Sequence, residues 1–152
     1  MSPCEKYVCT YSPMSDFGYT IWNFQMVEII REFDCEREED EDTWQWSFDG
    51  SYIAKKFRTE TEKDGKTKIK EGLSVYELPS MELLKTKDGV KKSINVENIN
   101  DWHWSPSKDI IAYTANLERE DEEYNAVPKV GFIKIPERRT IEARNVKNSE
   151  SL

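Results

Sequence analysis

Short runs of apolar, β-branched and aromatic residues recur along the chain, separated by polar and turn-forming segments. This pattern is typical of β-strands rather than of helices. Each of three such runs is followed closely by a second strand candidate, so the chain predicts a series of antiparallel hairpins. The three pairs lie at 19–22 with 28–33, 73–76 with 81–84, and 130–133 with 140–146.

A repeated segment organises these hairpins. Residues 44–54 read WQWSFDGSYIA and residues 102–112 read WHWSPSKDIIA, while residues 2–8 match the turn and second strand without the tryptophans. A repeat of about 40–60 residues built this way is typical of a β-propeller blade. We therefore predict an all-β chain of about three consecutive four-stranded antiparallel blades, the first of them incomplete.

The repeat also predicts the blade limits. We expect blades at about 1–34, 43–94 and 100–146, followed by a loose tail at 147–152. Because a closed propeller needs at least four blades of about 40–45 residues, 152 residues predict a fragment of a larger propeller. Its open edges predict that the chain alone is oligomeric or poorly stable.

The charge of the chain disfavours a general nucleic-acid or anionic-membrane binder. Its net charge is -8, whereas binding to phosphates needs a surplus of Lys and Arg. With 37% hydrophobic residues, a mean hydropathy of -0.81 and no apolar run long enough for a membrane span, the sequence predicts a cytoplasmic protein. Charged inserts at 36–42, 63–68 and 118–123 predict solvated loops, and Asp64-Gly65 predicts a hairpin that lengthens two strands.

Residues with catalytic or metal-binding chemistry are sparse. The chain has three cysteines in no metal-ligand spacing and a single histidine, His103, expected to be half exposed or paired with Asp109. It has neither a Gly-x-Ser-x-Gly nucleophile elbow nor a glycine-rich phosphate loop. The sequence therefore predicts no enzyme activity, no catalytic, cofactor or metal site, and no small-molecule substrate.

The large aromatic residues are predicted to pack the blades against one another. Base stacking on RNA is the alternative, but it requires nearby basic residues, and Trp102 follows Asp101 with no lysine beside it. We expect alanine at Trp46 or Trp104 to unfold its blade. The predicted structural residues are Trp22, Trp44, Trp46, Tyr76, Trp102 and Trp104.

Several phrases resemble the propeller of the B subunit of eukaryotic translation initiation factor 3. They occur in that family's order, and the most specific is LSVYELPSMELL at 73–84. The Lys-rich insert at 63–70 is longer than usual in the family, and the approach to Trp44 differs. The other phrases are SPCEKY at 2–7, TYSP at 10–13 with Ile21-Trp22, WSFDG at 46–50, WSP at 104–106 with DIIAY at 109–113, and IPERR at 135–139 before RNV at 144–146.

The resemblance implies a non-enzymatic scaffold without a cofactor. Proteins of that family bind the other factor 3 subunits and the small ribosomal subunit, both its protein and its rRNA, and act on mRNA indirectly. Alternatives are a propeller initiation factor of the 2A type, a propeller that gates a peptidase of the prolyl oligopeptidase type, and a generic propeller adaptor. As a further hypothesis, four lysines approach ribosomal RNA or an acidic partner: Lys63, Lys66, Lys68 and Lys70.

Overall fold

The computed structural model describes residues 1–12, 18–33, 44–117 and 127–143. Within these ranges the chain forms twelve β-strands and no helix, in three antiparallel sheets that follow one another along the chain. The acidic inserts at 36–42 and 118–123, Cys35 and the segment 144–152 lie outside the described residues. The predicted all-β class is therefore confirmed, and the blade limits stay a prediction.

Among the described residues the first sheet has three strands, in the order β1-β2-β3, without a tryptophan-bearing strand, as predicted. The third sheet has four strands in the order β12-β11-β10-β9. The strands of the first sheet are β1 (Tyr7–Tyr11), β2 (Tyr19–Asn23) and β3 (Glu28–Phe33). Those of the third sheet are β9 (Ile99–Trp104), β10 (Ile110–Leu117), β11 (Val127–Lys134) and β12 (Arg139–Ala143).

The second sheet carries a fifth strand that the sequence did not predict. A short strand, β8, pairs with β6 at Gly72 and Leu73, next to the place where β7 pairs with the end of β6. Because β8 is only two residues long, no periodic pattern could identify it. The strands are β4 (Gln45–Trp46), β5 (Tyr52–Lys63), β6 (Lys66–Glu77), β7 (Glu82–Leu83) and β8 (Ile94–Asn95).

The serine of the repeat closes the turn in the same way in two of its three copies. The Ser47 hydroxyl accepts a hydrogen bond from the Tyr52 amide at 3.0 Å, and the Ser2 hydroxyl accepts one from the Tyr7 amide at 3.1 Å. Both serines are buried, so these hydrogen bonds satisfy polar groups in the interior of the turn. In the third copy the Ser105 hydroxyl instead accepts from the Ser107 and Lys108 amides, each at 3.2 Å.

Two apolar clusters join the three sheets. The first joint, between the first and second sheets, is built around Ile21, Ile53, Tyr76 and Met81. The second joint, between the second and third sheets, contains thirteen buried residues. Every sheet thus buries a face against the next, which is how the blades of a propeller are stacked. The buried residues of the second joint are Ala54, Leu73, Val75, Leu84, Ile94, Val96, Ile99, Trp102, Ile111, Tyr113, Ala115, Ile133 and Ile135.

Candidate interaction site

The second tryptophan of each Trp-x-Trp strand stacks on a tyrosine of the preceding sheet. Trp46 lies over Tyr7 with ring centroids 6.3 Å apart and planes 13° apart. Trp104 lies over Tyr52 at 6.1 Å and again 13°. Since Tyr7 and Tyr52 occupy the same place in the repeat, the two joints share one aromatic contact. Both tryptophans therefore pack against the preceding sheet.

The second joint is also fastened by hydrogen bonds through Gln45. Its side-chain amide donates to the Trp102 backbone carbonyl at 2.9 Å, and its backbone carbonyl accepts a hydrogen bond from the Trp104 indole N–H at 3.0 Å. Trp102 itself is buried in the apolar cluster of this joint. The predicted tryptophans 102 and 104 therefore hold the third sheet against the second.

The first tryptophan of the second sheet belongs to an aromatic cluster at the first joint. The centroid of the Trp44 ring lies 5.0–5.9 Å from those of Tyr19, Phe33 and Tyr76. The Lys55 ammonium lies 5.4 Å from the Trp44 centroid, so the cluster already holds a cation of this chain. The structure thus brings Trp44 and Tyr76 together as a packed pair.

Trp22 differs from the other predicted residues. Alternation along β2 places it on the face opposite Ile21, away from the second sheet. Its indole N–H donates to the Thr10 hydroxyl at 2.9 Å within the first sheet. Trp22 thus contributes to neither joint among the described residues.

Two arginines that the sequence did not single out fasten the joints. The Arg31 guanidinium lies 4.6 Å from the Phe33 ring centroid and donates to the Met81 carbonyl at 2.7 Å, across the first joint. At the second joint Arg138 donates to three carbonyls of the second sheet's loop, those of Leu84, Lys92 and Ser93. An arginine in a turn gives no sequence signal of its target, because the target depends on which sheet lies beside it.

The described residues contain no group of three metal-binding side chains. Of the two alternatives predicted for His103, the structure shows exposure and not pairing with Asp109: His103 is exposed, and the buried Asp109 Oδ1 has no hydrogen-bond partner within the described part of the chain. Burial, and then the charge of Asp49, raise the pKa of Asp109.

Burial raises the pKa of the Cys9 thiol to about 11, which makes it a poor nucleophile. In the described ranges no helix has the length and apolarity to cross a membrane.

The predicted Asp64-Gly65 hairpin is confirmed, and it forms an arm that extends beyond the second sheet. Strands β5 and β6 pair continuously from Tyr52 with Glu77 to Lys63 with Lys66. Among the described residues, no third strand pairs with either of them past Phe57 and Gly72. We call residues 58–71 the hairpin arm; its two strands carry all four of the predicted contact lysines.

One face of the arm is fastened to the body of the chain. The Glu71 carboxylate accepts a hydrogen bond from the Asn98 amide, and just below the arm the Lys56 ammonium donates to the Ile99 carbonyl at 3.1 Å. Arg58 and Glu71 of this face line a cleft of about 580 Å³ between the arm and the third sheet. Glu97, Asn98, Asn100 and Asn116 line its other side.

These features define a protein class: consecutive β-propeller blades joined by repeated aromatic contacts. No protein-family model matches the chain. Over 97% of its length, however, the chain is 33% identical to the B subunit of eukaryotic translation initiation factor 3 of Xenopus laevis. It is 29% identical to the same subunit of Cryptococcus neoformans and of Aedes aegypti, again over 97% of its length. The chain is therefore similar over nearly its whole length to one segment of this translation initiation factor subunit, as the resemblance predicted.

The chain spans only 19%, 23% and 18% of the lengths of these three relatives. A solved structure described as that of "the eukaryotic initiation factor" superposes on it with a TM-score of 0.62. The superposition covers 97% of this chain and 33% of the other, at 19% sequence identity. At that identity the superposition supports the fold and nothing further.

Proposed function

We propose that the chain is a non-enzymatic scaffold segment of translation initiation factor 3 in the cytoplasm. In this role it helps to organise the other factor subunits on the small ribosomal subunit, through contacts with ribosomal protein and rRNA, for preinitiation complex assembly and mRNA recruitment. The observation that carries the proposal is the match to the factor 3 B subunit over 97% of the chain. A ligand pocket or reacting group forms no part of it.

The physical character of the described residues supports a scaffold. Several of their aromatic side chains, with Arg31 and Arg138, are used in the two joints, where they fasten one sheet to the next. A rigid stack of sheets presents its loops and strand edges in fixed positions, which suits the binding of several partners at once. The net charge of -8 favours protein partners over unaided RNA capture by the chain as a whole.

The proposal is tested by purifying the tagged native-length protein from its own cytosol and separating the material on a sucrose gradient. We expect it to sediment with small ribosomal subunits, and mass spectrometry to find other factor 3 subunits. Co-purification with initiator tRNA alone would support the 2A-type alternative, and hydrolysis of a proline-containing peptide would support the peptidase alternative. Sedimentation with neither ribosomal nor factor subunits would refute the scaffold.

A matched pair of glycine variants shows whether these blades carry the association. Gly72 has no space for a side chain, whereas Gly89 lies in an open turn. We expect Gly72→Ala in the native-length protein to reduce recovery of factor subunits and Gly89→Ala to leave it unchanged. Equal recovery from both variants would show that other segments of the protein bind the partners.

A further inference from the structure

We propose that one face of the hairpin arm binds the phosphate backbone of RNA. The pairing register carries this inference. Paired residues of an antiparallel ribbon project to the same side, and alternate residues project to opposite sides. Lys63 pairs with Lys66, Thr61 with Lys68, and Thr59 with Lys70, so all four lysines share one side, which we call the lysine face. The inference rests on the proposed function, in which ribosomal RNA is near.

The opposite side of the arm has the opposite charge. It carries Arg58, three glutamates at 60, 62 and 71, Thr67 and Ile69. Its one arginine pairs with Glu60 at 3.5 Å. Among the paired residues of the arm, the lysine face has no carboxylate, while Asp64 lies in the turn beside Lys63. Within the described ranges none of the four lysine ammonium groups forms an ion pair. The charges of the arm are therefore sorted by side, which an ordinary solvated loop does not require.

This sorting opposes the stability of the arm. Lys63 and Lys66 lie directly opposite each other, and like charges in that position destabilise a strand pair. Lys66, Lys68 and Lys70 follow one another on the same side at intervals of about 7 Å, twice the rise of a strand. Local rules of stability are most often broken at functional sites. An anionic polymer along the face would relieve the repulsion.

The composition of the lysine face favours RNA over a protein partner. Protein interfaces are enriched in aromatic residues, Met and Arg and are depleted in Lys. The face offers only lysines and threonines; Ile69 and Arg58 are both on the other side. Lysine acts as a point charge suited to sequence-independent phosphate contact, whereas planar recognition of carboxylates favours arginine. The threonine hydroxyls of Thr59 and Thr61 already donate to backbone carbonyls across the arm.

The anchored side of the arm keeps the lysine face accessible. Glu71 and Arg58 face the cleft beside the third sheet, so the lysines project away from it. All four lysines are exposed. The body of the chain thus holds the arm from behind and leaves a row of positive charge in front, about 13 Å long from the level of Lys70 to that of Lys66.

The inference is tested by fluorescence anisotropy of a labelled oligouridylate of about 20 nucleotides, titrated with the 152-residue chain at several NaCl concentrations. Two quadruple Lys→Gln variants are compared, both with the same change of net charge and both at exposed positions. The first replaces Lys63, Lys66, Lys68 and Lys70, and the control replaces Lys87, Lys92, Lys108 and Lys134.

We expect the first variant to bind RNA at least about tenfold more weakly than the wild type. The slope of log K against log[salt] should fall in magnitude by about 3, since each phosphate contact on a single strand contributes about 0.7. The control should stay within about twofold of the wild type. Equal thermal melting of all three proteins would show that the fold is unchanged, as exposed positions predict.

Three results would overturn the inference. The first is an equal loss of RNA affinity in both variants, and the second is no RNA binding by the wild type at low salt. The third is that the wild type binds a polyglutamate peptide more tightly than RNA and that only the first variant loses this peptide binding. The last would assign the lysine face to an acidic protein. A fourth result would also overturn it: if the lysines only protect the strand edges, the first variant would self-associate more than the wild type in light scattering, with unchanged RNA binding. Because these measurements need no other subunit, their failure is distinct from a failure of native-length protein to co-purify with factor subunits.

Discussion

The two joints are made from the same repeat but contain different chemistry. The first joint is aromatic and cationic: Phe33, Trp44 and Tyr76 pack together, with Arg31 and Lys55 over their rings. The second joint is mainly aliphatic, with thirteen buried residues and hydrogen bonds through Gln45 and Arg138. Sheets of one architecture thus adhere through two unlike interfaces.

The contacts that the joints share show what the repeat determines. Both have the tryptophan–tyrosine stack with ring planes 13° apart. Both have a residue with positive φ at the same place in a hairpin turn, Met81 with φ of 56° and Arg138 with φ of 59°. The Met81 side chain is buried in the first joint, and that of Arg138 reaches across the second. The repeat therefore fixes where a sheet contacts its predecessor, and the identity of the residue there is free to differ.

The largest effect is expected from Gly72→Ala, which acts on the second joint. A Cβ atom at Gly72 would lie 1.9 Å from the Ile94 carbonyl oxygen and 2.7 Å from the Val96 nitrogen. Both are backbone atoms of the segment that contains β8, so a rotamer change cannot relieve the clash. We expect a loss of about 3 kcal/mol or more in the free energy of unfolding, measured by urea titration of tryptophan fluorescence.

Gly89→Ala is the control for that substitution. Gly89 has φ of +79° but no atom within 4 Å of the added Cβ, so only backbone strain remains. A cost of about 1 kcal/mol is expected. Equal destabilisation by the two substitutions would mean that the close approach of β8 contributes nothing to the second joint.

Much of the fold could be predicted because the repeat marks its own strands. The Ser turns, the apolar runs and the Asp64-Gly65 hairpin each carry a local signal. Strand β3, at Glu28–Phe33, has the predicted limits. The shared side of the four lysines could also have been predicted from the sequence. A two-residue turn after Lys63 pairs it with Lys66, and because side chains alternate between the two faces of a strand, Lys68 and Lys70 then lie on the same side.

The contacts across the joints could not be predicted in the same way. The roles of Arg31, Gln45 and Arg138 depend on which sheet lies beside each residue, and local sequence does not encode that. Strand β8 can pair with β6 because Gly72 has no side chain to block its backbone. In a sequence, a glycine inside a strand pattern suggests only a bulge or a close approach and does not identify the neighbouring segment. These contacts therefore depend on packing between the sheets, which the sequence pattern does not predict.

The shared turn position provides the next prediction, a series of alanine substitutions. Met81→Ala should cost about 3 kcal/mol because it leaves a cavity in the first joint. Arg138→Ala should cost about 2 kcal/mol through its lost hydrogen bonds to carbonyls of the second sheet. The third member is Val27, with φ of 53° and 76% exposure, where alanine should change stability by less than about 0.5 kcal/mol.

Denaturant titrations of the three variants test the order. Arg138→Lys is the useful companion, because lysine keeps the charge but lacks the planar fork that reaches several carbonyls. We expect it to recover less than about half of the loss. A large effect at Val27 instead would show that this position matters through its backbone conformation rather than through the sheet it contacts.

The tryptophans offer a smaller and more selective comparison. Replacing either Trp46 or Trp104 by Phe keeps an aromatic ring over the tyrosine, but only Trp104 donates its indole N–H to Gln45 across the joint. Trp104→Phe should therefore be more destabilising than Trp46→Phe by about 1 kcal/mol. Thermal melts of the two variants measure the difference, and identical melts would assign the second joint to packing alone.

The smallest effects on stability are expected from two aspartates near the second joint, Asp109 and Asp49, and these effects have opposite signs. Burial and the charge of Asp49 raise the pKa of Asp109 above 3.8, its ordinary value. Between 3.8 and the raised pKa the unfolded chain loses this proton before the folded chain does, so stability falls as pH rises through that window. The Ser51 amide hydrogen bond lowers the pKa of Asp49, whose contribution is present above 3.8 and is lost as pH falls through the lowered pKa.

Substitution by Asn should separate the two contributions in urea titrations from about pH 3 to about pH 7. Asp109→Asn should raise stability slightly at neutral pH, because an ionised carboxylate with a buried, unpartnered oxygen is removed. Asp49→Asn should lower it, because the charge that accepts the Ser51 amide is lost. If the stability of both variants changed in the same direction, the two aspartates would be in the same electrostatic environment. That result would contradict the prediction that the burial of Asp109 distinguishes it from Asp49.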